Sequence, residues 1–284
     1  FKQFGYNGGT DGMKIFRING VEISDKSDSF MLTSVSGDSG GSVKRSETTY
    51  VDTDGADIDD VLFQCRIVDI NGFICCSSYM ELERMKQTLL RAFNPKVKAP
   101  LAYYNGARWY MANVIPDKLP SFVKVNNFSC TFTAYVNMYE YYWLSYNDIR
   151  HNVFQRINKV ESPFTLPCVF TQRIAQADII NEGDVETFPK IAIHCTDNTP
   201  DGTIVIKNHR NGQTLTLKHR LSLGEIVNID CYNHTISSSI SGNIIEKITP
   251  ESEFIQYEQG INRITATGCG TSILSYHKNR YLGA

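Results

Sequence analysis

Short runs of alternating apolar and polar residues between Asn181 and Cys231 predict a series of β-strands. Apolar side chains recur at every second position in four runs, which contain Ile191, Ile193 and Cys195; Ile204 and Ile206; Leu215 and Leu217; and Val227 and Ile229. Because the side chains of a strand alternate between its two faces, one face of each strand can be buried. Turn-forming pairs separate the runs, namely Asp201-Gly202, Asn211-Gly212 and Gly224-Glu225. This pattern is typical of a β-sandwich.

The N-terminal half of the chain has the same alternation and predicts further strands around one helix. The strands are expected in a hairpin from Met13 turned at Asn19-Gly20, at 61–70 and 73–76 turned at Asn71-Gly72, at 108–115 and at 128–138. The helix begins at a capping box, Ser78 with Glu81, and is stopped by Pro95. Its apolar stripe, which we expect to pack against the N-terminal sheet, is Leu82, Met85, Leu89 and Phe93.

The length of 284 residues is enough for two domains, each with its own core. We interpret residues 1–12 as derived from an expression vector, because Met13 opens the first convincing strand. The segment 162–167, SPFTLP, contains two prolines that discourage regular structure. The predicted domains are therefore 13–159 and 160–284.

Composition and charge exclude several classes of protein. The net charge of −2 gives no basis for tight nucleic-acid binding, and no apolar run approaches the length of a membrane span. The eight cysteines contain no Cys-x-x-Cys pair, which favours small buried thiols over a metal site or a disulfide scaffold. The six histidines have no His-x-x-x-His spacing, so we expect no metal and no cofactor.

Two local sequences resemble functional motifs and fail on inspection. GDSGG around Ser39 matches the nucleophile segment of trypsin-like proteases, in which a His precedes the Ser, yet the first histidine here is His151. The acidic stretch 51–60 lacks the glycine and glutamate positions of an EF-hand, since in a loop counted from Asp52 Gly55 would be fourth and Phe63 twelfth. We interpret the first segment as a Gly/Ser-rich loop and the second as an acidic hairpin loop.

Three sequence patterns in the C-terminal half carry a family resemblance: N-x-GDVET-x-P-x-I-x-I from Asn181, an I-x-N strand, and GE-x-V-x-ID from Gly224. Gly260 and Asn262 hold the positions of a further G-x-N turn. With these patterns the chain resembles the distal tail proteins of siphoviruses.

The resemblance implies a mainly β protein with an N-terminal split-barrel, ring-forming domain that carries one helix and a C-terminal galectin-like β-sandwich. It implies a structural virion protein at the tail tip, not an enzyme, assembled in the host bacterial cytoplasm. Six copies would form a ring that joins the tail tube protein to the tail-tip hub protein and lets DNA pass.

A closed ring needs two different complementary patches on each subunit. Our candidates are the polar row Thr131, Thr133 and Tyr135, the acidic loop from Asp52, and the aromatic run 139–146, which includes Tyr141 and Trp143. The alternative function is a glycan-binding host-adhesion module, for which the polar cluster His209, Arg210 and Asn211 is the nearest candidate.

Overall fold

The computed structural model describes residues 13–49, 54, 57–158, 171–174, 176–196, 202–267 and 271–284. The protein is mainly β, as predicted, and the described residues contain one α-helix. The chain forms two compact units, of which the first comprises the chain up to Tyr146 with Tyr281–Ala284 and the second comprises Asn147–Arg280.

The division between the units differs from the predicted boundary at 159 and 160. It lies at Tyr146 and Asn147, because the strand Ile149–Asn158 pairs with Thr271–His277 and so belongs to the second unit. The signal in the sequence was the pair of prolines in 162–167, a segment that lies outside the described residues, as does 1–12.

The strands of the first unit are β1 (Ile15–Ile18), β2 (Val21–Ser24), β3 (Met31–Ser36), β4 (Val43–Thr48), β5 (Asp57–Phe63), β6 (Arg66–Cys75), β7 (Ala99–Tyr104), β8 (Trp109–Asn126), β9 (Ser129–Met138) and β10 (Trp143–Ser145). Seven of them close into a barrel in the order β1-β2-β3-β6-β9-β8-β7. All neighbours in the barrel are antiparallel except β2 and β3. The closed barrel has a single contiguous apolar core.

Helix α1 (Tyr79–Ala92) begins where the sequence predicted. The Ser78 hydroxyl accepts a hydrogen bond from the backbone N–H of Glu81 at 3.2 Å, which satisfies one of the free donors of the first turn. The Glu81 carboxylate accepts from the N–H and the hydroxyl of Ser77, at 3.0 and 2.7 Å. Three members of the predicted stripe, Leu82, Leu89 and Phe93, are buried in the barrel core, which confirms the packing prediction.

The predicted turn at Asn71-Gly72 is wrong, because β6 continues through both residues. Glycine is needed at position 72 because the ring of Phe132 and the backbone of Met31 lie too close to leave room for a side chain. A Cβ at this position would lie 2.3 Å from Cζ of Phe132 and 2.7 Å from the carbonyl oxygen of Met31, so β6 passes between a buried ring and a neighbouring backbone. Asn19-Gly20, in contrast, forms the predicted tight turn, with φ of 47° and 80°.

We therefore expect Gly72→Ala to destabilise the first unit by about 1–3 kcal/mol, the usual cost of overpacking. Phe132 is buried and cannot move aside without displacing its own neighbours. Urea unfolding followed by tryptophan fluorescence measures the change. Gly40→Ala is the matched control, since a Cβ there meets nothing within 4 Å. Equal stability of the two variants would contradict the close-approach explanation.

The strands of the second unit are β11 (Ile149–Asn158), β12 (Thr171–Ile174), β13 (Gln176–Asn181), β14 (Lys190–Cys195), β15 (Ile204–Asn208), β16 (Thr214–Leu217), β17 (Ile226–Asp230), β18 (Thr235–Ser238), β19 (Gly242–Asn243), β20 (Gly260–Thr267) and β21 (Thr271–His277). The last strand of the chain, β22 (Arg280–Tyr281), pairs with β10. One sheet has the order β12-β11-β21-β14-β17-β18-β19 and the other β13-β20-β15-β16. Their inner faces share one apolar core. The alternation seen in the sequence is confirmed in β15, β16 and β17, whereas in β14 the three consecutive residues 191–193 are all buried.

The Gly260 and Asn262 turn shows why these two residue types recur together. Gly260 has a φ of 90°, a conformation that favours glycine. The buried amide of Asn262 accepts from the N–H of Glu258 at 3.0 Å and donates to the carbonyl oxygens of Glu258 and Gly260 at 2.7 and 3.0 Å. One side chain thus satisfies three backbone groups at the entry to β20.

Candidate assembly surfaces

The predicted row of Thr131, Thr133 and Tyr135 lies on the outer face of the barrel. Thr131 is exposed, and the other two side chains are half-buried. In the pairing of β9 with β6, Thr133 is opposite Asn71, and its hydroxyl donates to the Asn71 amide oxygen at 2.7 Å. The Lys118 ammonium lies 3.9 Å from the centroid of the Tyr135 ring. The row is therefore a polar strip with one aromatic ring beneath a cation.

Three exposed apolar residues next to this row were not predicted. Val123 and Val125 on β8 are 66% and 57% exposed, and Leu119 is 54% exposed. Val123 is paired with Thr131, so it extends the row onto the next strand. The sequence prediction ended this strand at residue 115, because Pro116 and Pro120 normally interrupt strands. The alternation after Ser121 was the signal that could have revealed it.

Strands β4 and β5 form a two-stranded hairpin, which we call the arm (residues 43–63). In the described part of the chain no other strand pairs with it. Every residue of β4 is exposed, and so are the apolar side chains on β5, which are Ile58, Val61, Leu62 and Phe63. The hairpin confirms the predicted joining of two strands, but Asp57 and Asp60 lie within β5 and not in the loop. Of the acidic residues expected in the loop, Asp52 lies outside the described residues.

The base of the arm is held by a stack on Tyr141. The ring of Phe63 lies 4.2 Å from the Tyr141 ring, nearly parallel to it, and the guanidinium of Arg66 lies 4.3 Å from the same ring. Arg66 is almost fully buried and donates to the carbonyl oxygens of Asp38, at 3.0 Å, and of Leu282. Tyr141 was predicted as an interface residue. Its ring already packs within its own protomer, at the base of the arm.

The prediction of Trp143 as an interface residue is wrong. Its side chain is fully buried, with its ring 5.5 Å from that of Tyr103 and 6.3 Å from that of Tyr110. The indole N–H donates to the carbonyl oxygen of Asp38 at 2.8 Å. Pairing of β10 with β8 directs Trp143 into the barrel core, and this pairing has no signal in the local sequence.

The GDSGG segment is a loop between β3 and β4, as expected, and its aspartate supports the fold. The backbone carbonyl oxygen of Asp38 accepts hydrogen bonds from the side chains of Arg66 and Trp143. Its carboxylate accepts a further hydrogen bond from the Tyr103 hydroxyl at 3.2 Å. Burial, together with the negative charge of Asp38, raises the pKa of Tyr103 well above its usual value. The loop therefore anchors the arm to the barrel.

Within the described ranges, no three His, Cys, Asp or Glu side chains are grouped so that they could hold a metal ion, and no helix is long and apolar enough to cross a membrane. The cysteines depart from expectation at Cys65 and Cys75, which are exposed, whereas Cys130, Cys195 and Cys231 are buried.

The polar cluster considered for glycan binding is used to hold a turn. Arg210 pairs with Glu258 at 2.9 Å and donates to the carbonyl oxygen of Ile261 at 3.1 Å. The Asn211 amide donates to the side chain of Gln213 at 3.0 Å, and a His209 ring nitrogen is 2.8 Å from the hydroxyl of Thr265. These contacts account for the cluster without a ligand.

Comparison with known proteins matches both parts of the chain to phage tail families. Residues 22–134 match the phage tail protein RIFT-related domain, and residues 182–281 match the C-terminal domain of siphovirus-type tail components. No curated protein matches the chain.

Solved phage structures share the fold. The SPP1 Dit protein, described as a paradigm of the hub adsorption apparatus in phages that infect Gram-positive bacteria, aligns with a TM-score of 0.72 and 13% identity, over 95% of this chain and 99% of that one. A chain of the activated phage P2 baseplate with calcium aligns with a TM-score of 0.54 and 10% identity, over 96% and 99%. A chain of the same baseplate with strontium aligns with a TM-score of 0.55 and 11% identity, over 97% of this chain and 100% of that one.

A closed barrel with one helix, followed by a two-sheet sandwich, and a family match in each half define a structural component of phage tails. More particularly, the chain belongs to the siphovirus distal tail protein family. It is a structural protein of the tail and baseplate, and not an enzyme.

Proposed function

We propose that six copies of this protein form a ring through their first units, and that the ring joins the tail tube protein to the tail-tip hub protein. The observation that carries the proposal is the presence of two different exposed surfaces on the first unit, which are the arm and the outer face around Thr131, Thr133 and Tyr135. A heterologous contact repeated around an axis needs two such patches.

The proposal extends to the passage of DNA through the ring and to assembly in the host bacterial cytoplasm. The charge of the chain supports a lumen that DNA can traverse, since a net charge of −2 provides no excess of cations to retain phosphates. The domain limits that we propose for these roles follow the observed division at Tyr146 and Asn147.

The proposed ring is tested by the mass of the purified chain in solution. Light scattering after size exclusion, across a range of concentrations, is expected to give a mass near six protomers, and negative-stain images are expected to show closed rings. A chain that stays monomeric at every concentration would contradict self-assembly of the ring.

Tyr135→Glu is expected to weaken the assembly, because it places a carboxylate on the outer face and removes the ring beneath Lys118. We expect the hexamer to dissociate at a protein concentration at least about tenfold higher than for the unmodified chain, a change of about 1.4 kcal/mol per contact. The same light-scattering series measures it. Tyr232→Glu, at an exposed tyrosine of the second unit, is the matched control. Unchanged assembly of Tyr135→Glu would remove this strand from the interface.

A further inference from the structure

Over most of the second half of strand β8, one of its edges pairs with no other described strand. Val114 pairs with Ala99 of β7 on one side and with Met138 of β9 on the other, so β7 and β9 lie on opposite edges of β8. The pairing with β7 ends at Val114, whereas the pairing with β9 continues to Asn126. Among the described strands, none pairs with β8 beyond Val114 on the β7 side. This leaves a free strand edge in 115–126.

The first part of this free edge is protected and the second part is open. Pro116 and Pro120 lack the N–H that a new strand would need, and prolines commonly guard edge strands. The segment 121–126 has no proline and carries the exposed valines 123 and 125. An exposed edge with β-branched residues is a template for pairing with another strand.

The arm lacks a third strand, just as the free edge of β8 lacks a partner strand among the described residues. A hairpin of two strands is marginally stable on its own in water, and three or more strands or a packed face are normally needed. The arm has neither along its length in the described residues, since all of β4 is exposed and its contact with Tyr141 lies at its base. Adding the arm to another strand would supply the third strand.

In the described structure the arm does not pair with the free edge of its own barrel. It leaves the barrel next to Arg66, at the first residue of β6, while 121–126 lies beside the residues of β9 that pair with residues 71–75 of β6. The arm and the free edge are therefore separate surfaces of one copy, and each is open to a second copy.

We propose that the arm of one copy pairs, strand to strand, with the free edge 121–126 of β8 in the next copy. This inference rests on the proposed ring and names the two patches that would build it. The contact is head to tail, as a ring requires, because the arm and the free edge are different surfaces at opposite ends of β6.

Charge supports a second copy as the occupant. The arm contains six acidic and two basic residues, a formal charge of −4. Lys124 lies within the free edge and Lys118 three residues before it, next to Asp117, and all three are exposed, so the segment 115–126 has a formal charge of +1. Opposite charges on two surfaces mainly raise the rate of association and the specificity for the partner, and contribute less to affinity.

Charge exchange tests the pairing in the full-length chain. Val123→Glu with Val125→Glu puts two carboxylates beside the edge, where they repel the acidic arm. Asp57→Lys with Asp60→Lys puts two ammonium groups on the arm, where they repel Lys118 and Lys124. We expect each double variant alone to need at least tenfold more protein to reach the mass of the unmodified assembly. All four positions are exposed, so the fold is retained.

The decisive step is to mix the two defective variants in equal amounts. The native arm of one then meets the native edge of the other, and the lysine-bearing arm meets the glutamate-bearing edge. We expect the mixture to recover the mass of the unmodified assembly, and the four substitutions combined in one chain to do the same. Recovery requires that these two surfaces touch.

Two controls separate the pairing from general charge effects. Val123→Lys with Val125→Lys removes the same apolar surface but attracts the arm, so assembly is expected to persist. Leu223→Glu with Ile240→Glu adds the same two charges at exposed positions of the second unit and is expected to change nothing. Amide hydrogen exchange in 121–126 is expected to slow when the unmodified chain assembles.

The outcomes distinguish this inference from the proposed ring. Normal assembly of both double variants, or the failure of their mixture to recover, overturns the pairing of arm and edge and leaves the ring intact. An unmodified chain that is monomeric at every concentration overturns self-assembly and the pairing with it.

Discussion

Replacing Trp143 with alanine is expected to lower the free energy of unfolding of the first unit by about 3–5 kcal/mol, the usual range for a large aromatic residue in a core. The side chain is fully buried between Tyr103 and Tyr110, so the change leaves a cavity that these rings can fill only in part. It also removes the hydrogen bond to the carbonyl oxygen of Asp38. Both losses fall on the loop that holds the base of the arm.

The measurement is urea unfolding followed by fluorescence. Both tryptophans of the chain lie in the first unit, so in the variant the remaining Trp109 still reports on that unit alone. Trp143→Phe keeps most of the packing and loses the N–H, and we expect it to cost about half as much or less. Tyr139→Ala, at an exposed aromatic residue of the same run, is expected to cost under about 1 kcal/mol.

Trp143→Ala could instead leave stability within about 1 kcal/mol of the unmodified chain and abolish assembly. That result would restore Trp143 to the interface and contradict the burial described above. The two roles are therefore separated by measuring unfolding and solution mass on the same variant.

The parts of the fold that the sequence predicted are those fixed by local pattern. The stripe Leu82, Leu89 and Phe93 and the strand alternation from Ile191 to Ile229 each lie within one element, and burial of one face follows directly from the period. The turn at Asn19-Gly20 is also local, since both residues adopt positive φ.

The parts that were wrong depend on residues distant in the chain. Asn71-Gly72 has the composition of a hairpin turn, and only the position of Phe132 on β9 shows that the glycine makes room for a ring. Trp143 belongs to an aromatic run typical of an interface, and only the pairing of β10 with β8 turns it inward. Single-sequence patterns contain neither contact.

Among the candidate surfaces too, the residues fixed by local pattern were predicted and those that depend on the whole sheet were not. The alternation in β9 correctly placed Thr131, Thr133 and Tyr135 on the outer face. The exposed valines of β8 were missed, because two prolines made a strand of 18 residues improbable. The isolation of the arm is a property of the whole sheet order and has no local signal.

Acidification below about pH 6.5 is expected to destabilise the second unit, because of two stacked histidines. His151 on β11 and His277 on β21 are diagonal neighbours with ring centroids 5.4 Å apart and ring planes within 12°. His277 is 2% exposed, and the ring of Tyr257 packs edge-on against it. Burial, followed by repulsion from His151, lowers the pKa of His277 to about 4.

The other groups around His277 oppose this shift without cancelling it. Asn279, the backbone of Ile180 and the carboxylate of Asp148 each raise the pKa of His277, and Asp148 is itself 3.6 Å from the ammonium of Lys278. Burial also lowers the pKa of His151. Both rings therefore remain neutral in the folded unit at pH values where the unfolded chain binds protons.

The sign of the effect follows from proton binding. The pKa of His277 is about 4 when folded and about 6.5 when unfolded, so between these values the unfolded chain holds the extra proton. Stability is fully present above about pH 6.5 and falls as the pH drops. At 1.36 kcal/mol for each pH unit, His277 alone accounts for about 2 kcal/mol by pH 5 and about 3 kcal/mol by pH 4.

Carboxylates of the same unit act in a lower range. Burial opposes the shift at Glu225 and Asp230, but hydrogen bonds to their carboxylates outweigh it and lower the pKa of both, and the hydrogen bond from Arg263 lowers the pKa of Asp178. Their contribution is present above the usual carboxyl pKa and is lost as the pH falls below it. We therefore expect the loss of stability between pH 6.5 and 5 to arise mainly from His151 and His277.

His277→Phe tests this assignment, because it keeps an aromatic ring against Tyr257 and removes the titrating group. Urea unfolding of the second unit is followed by far-ultraviolet circular dichroism, while tryptophan fluorescence records the first unit separately. We expect the unmodified chain to lose about 2 kcal/mol from pH 6.5 to 5 and His277→Phe to lose less than half of that. His209→Gln, at an exposed histidine, should keep the full loss. An equal loss in His277→Phe would show that the acid sensitivity of this unit arises elsewhere.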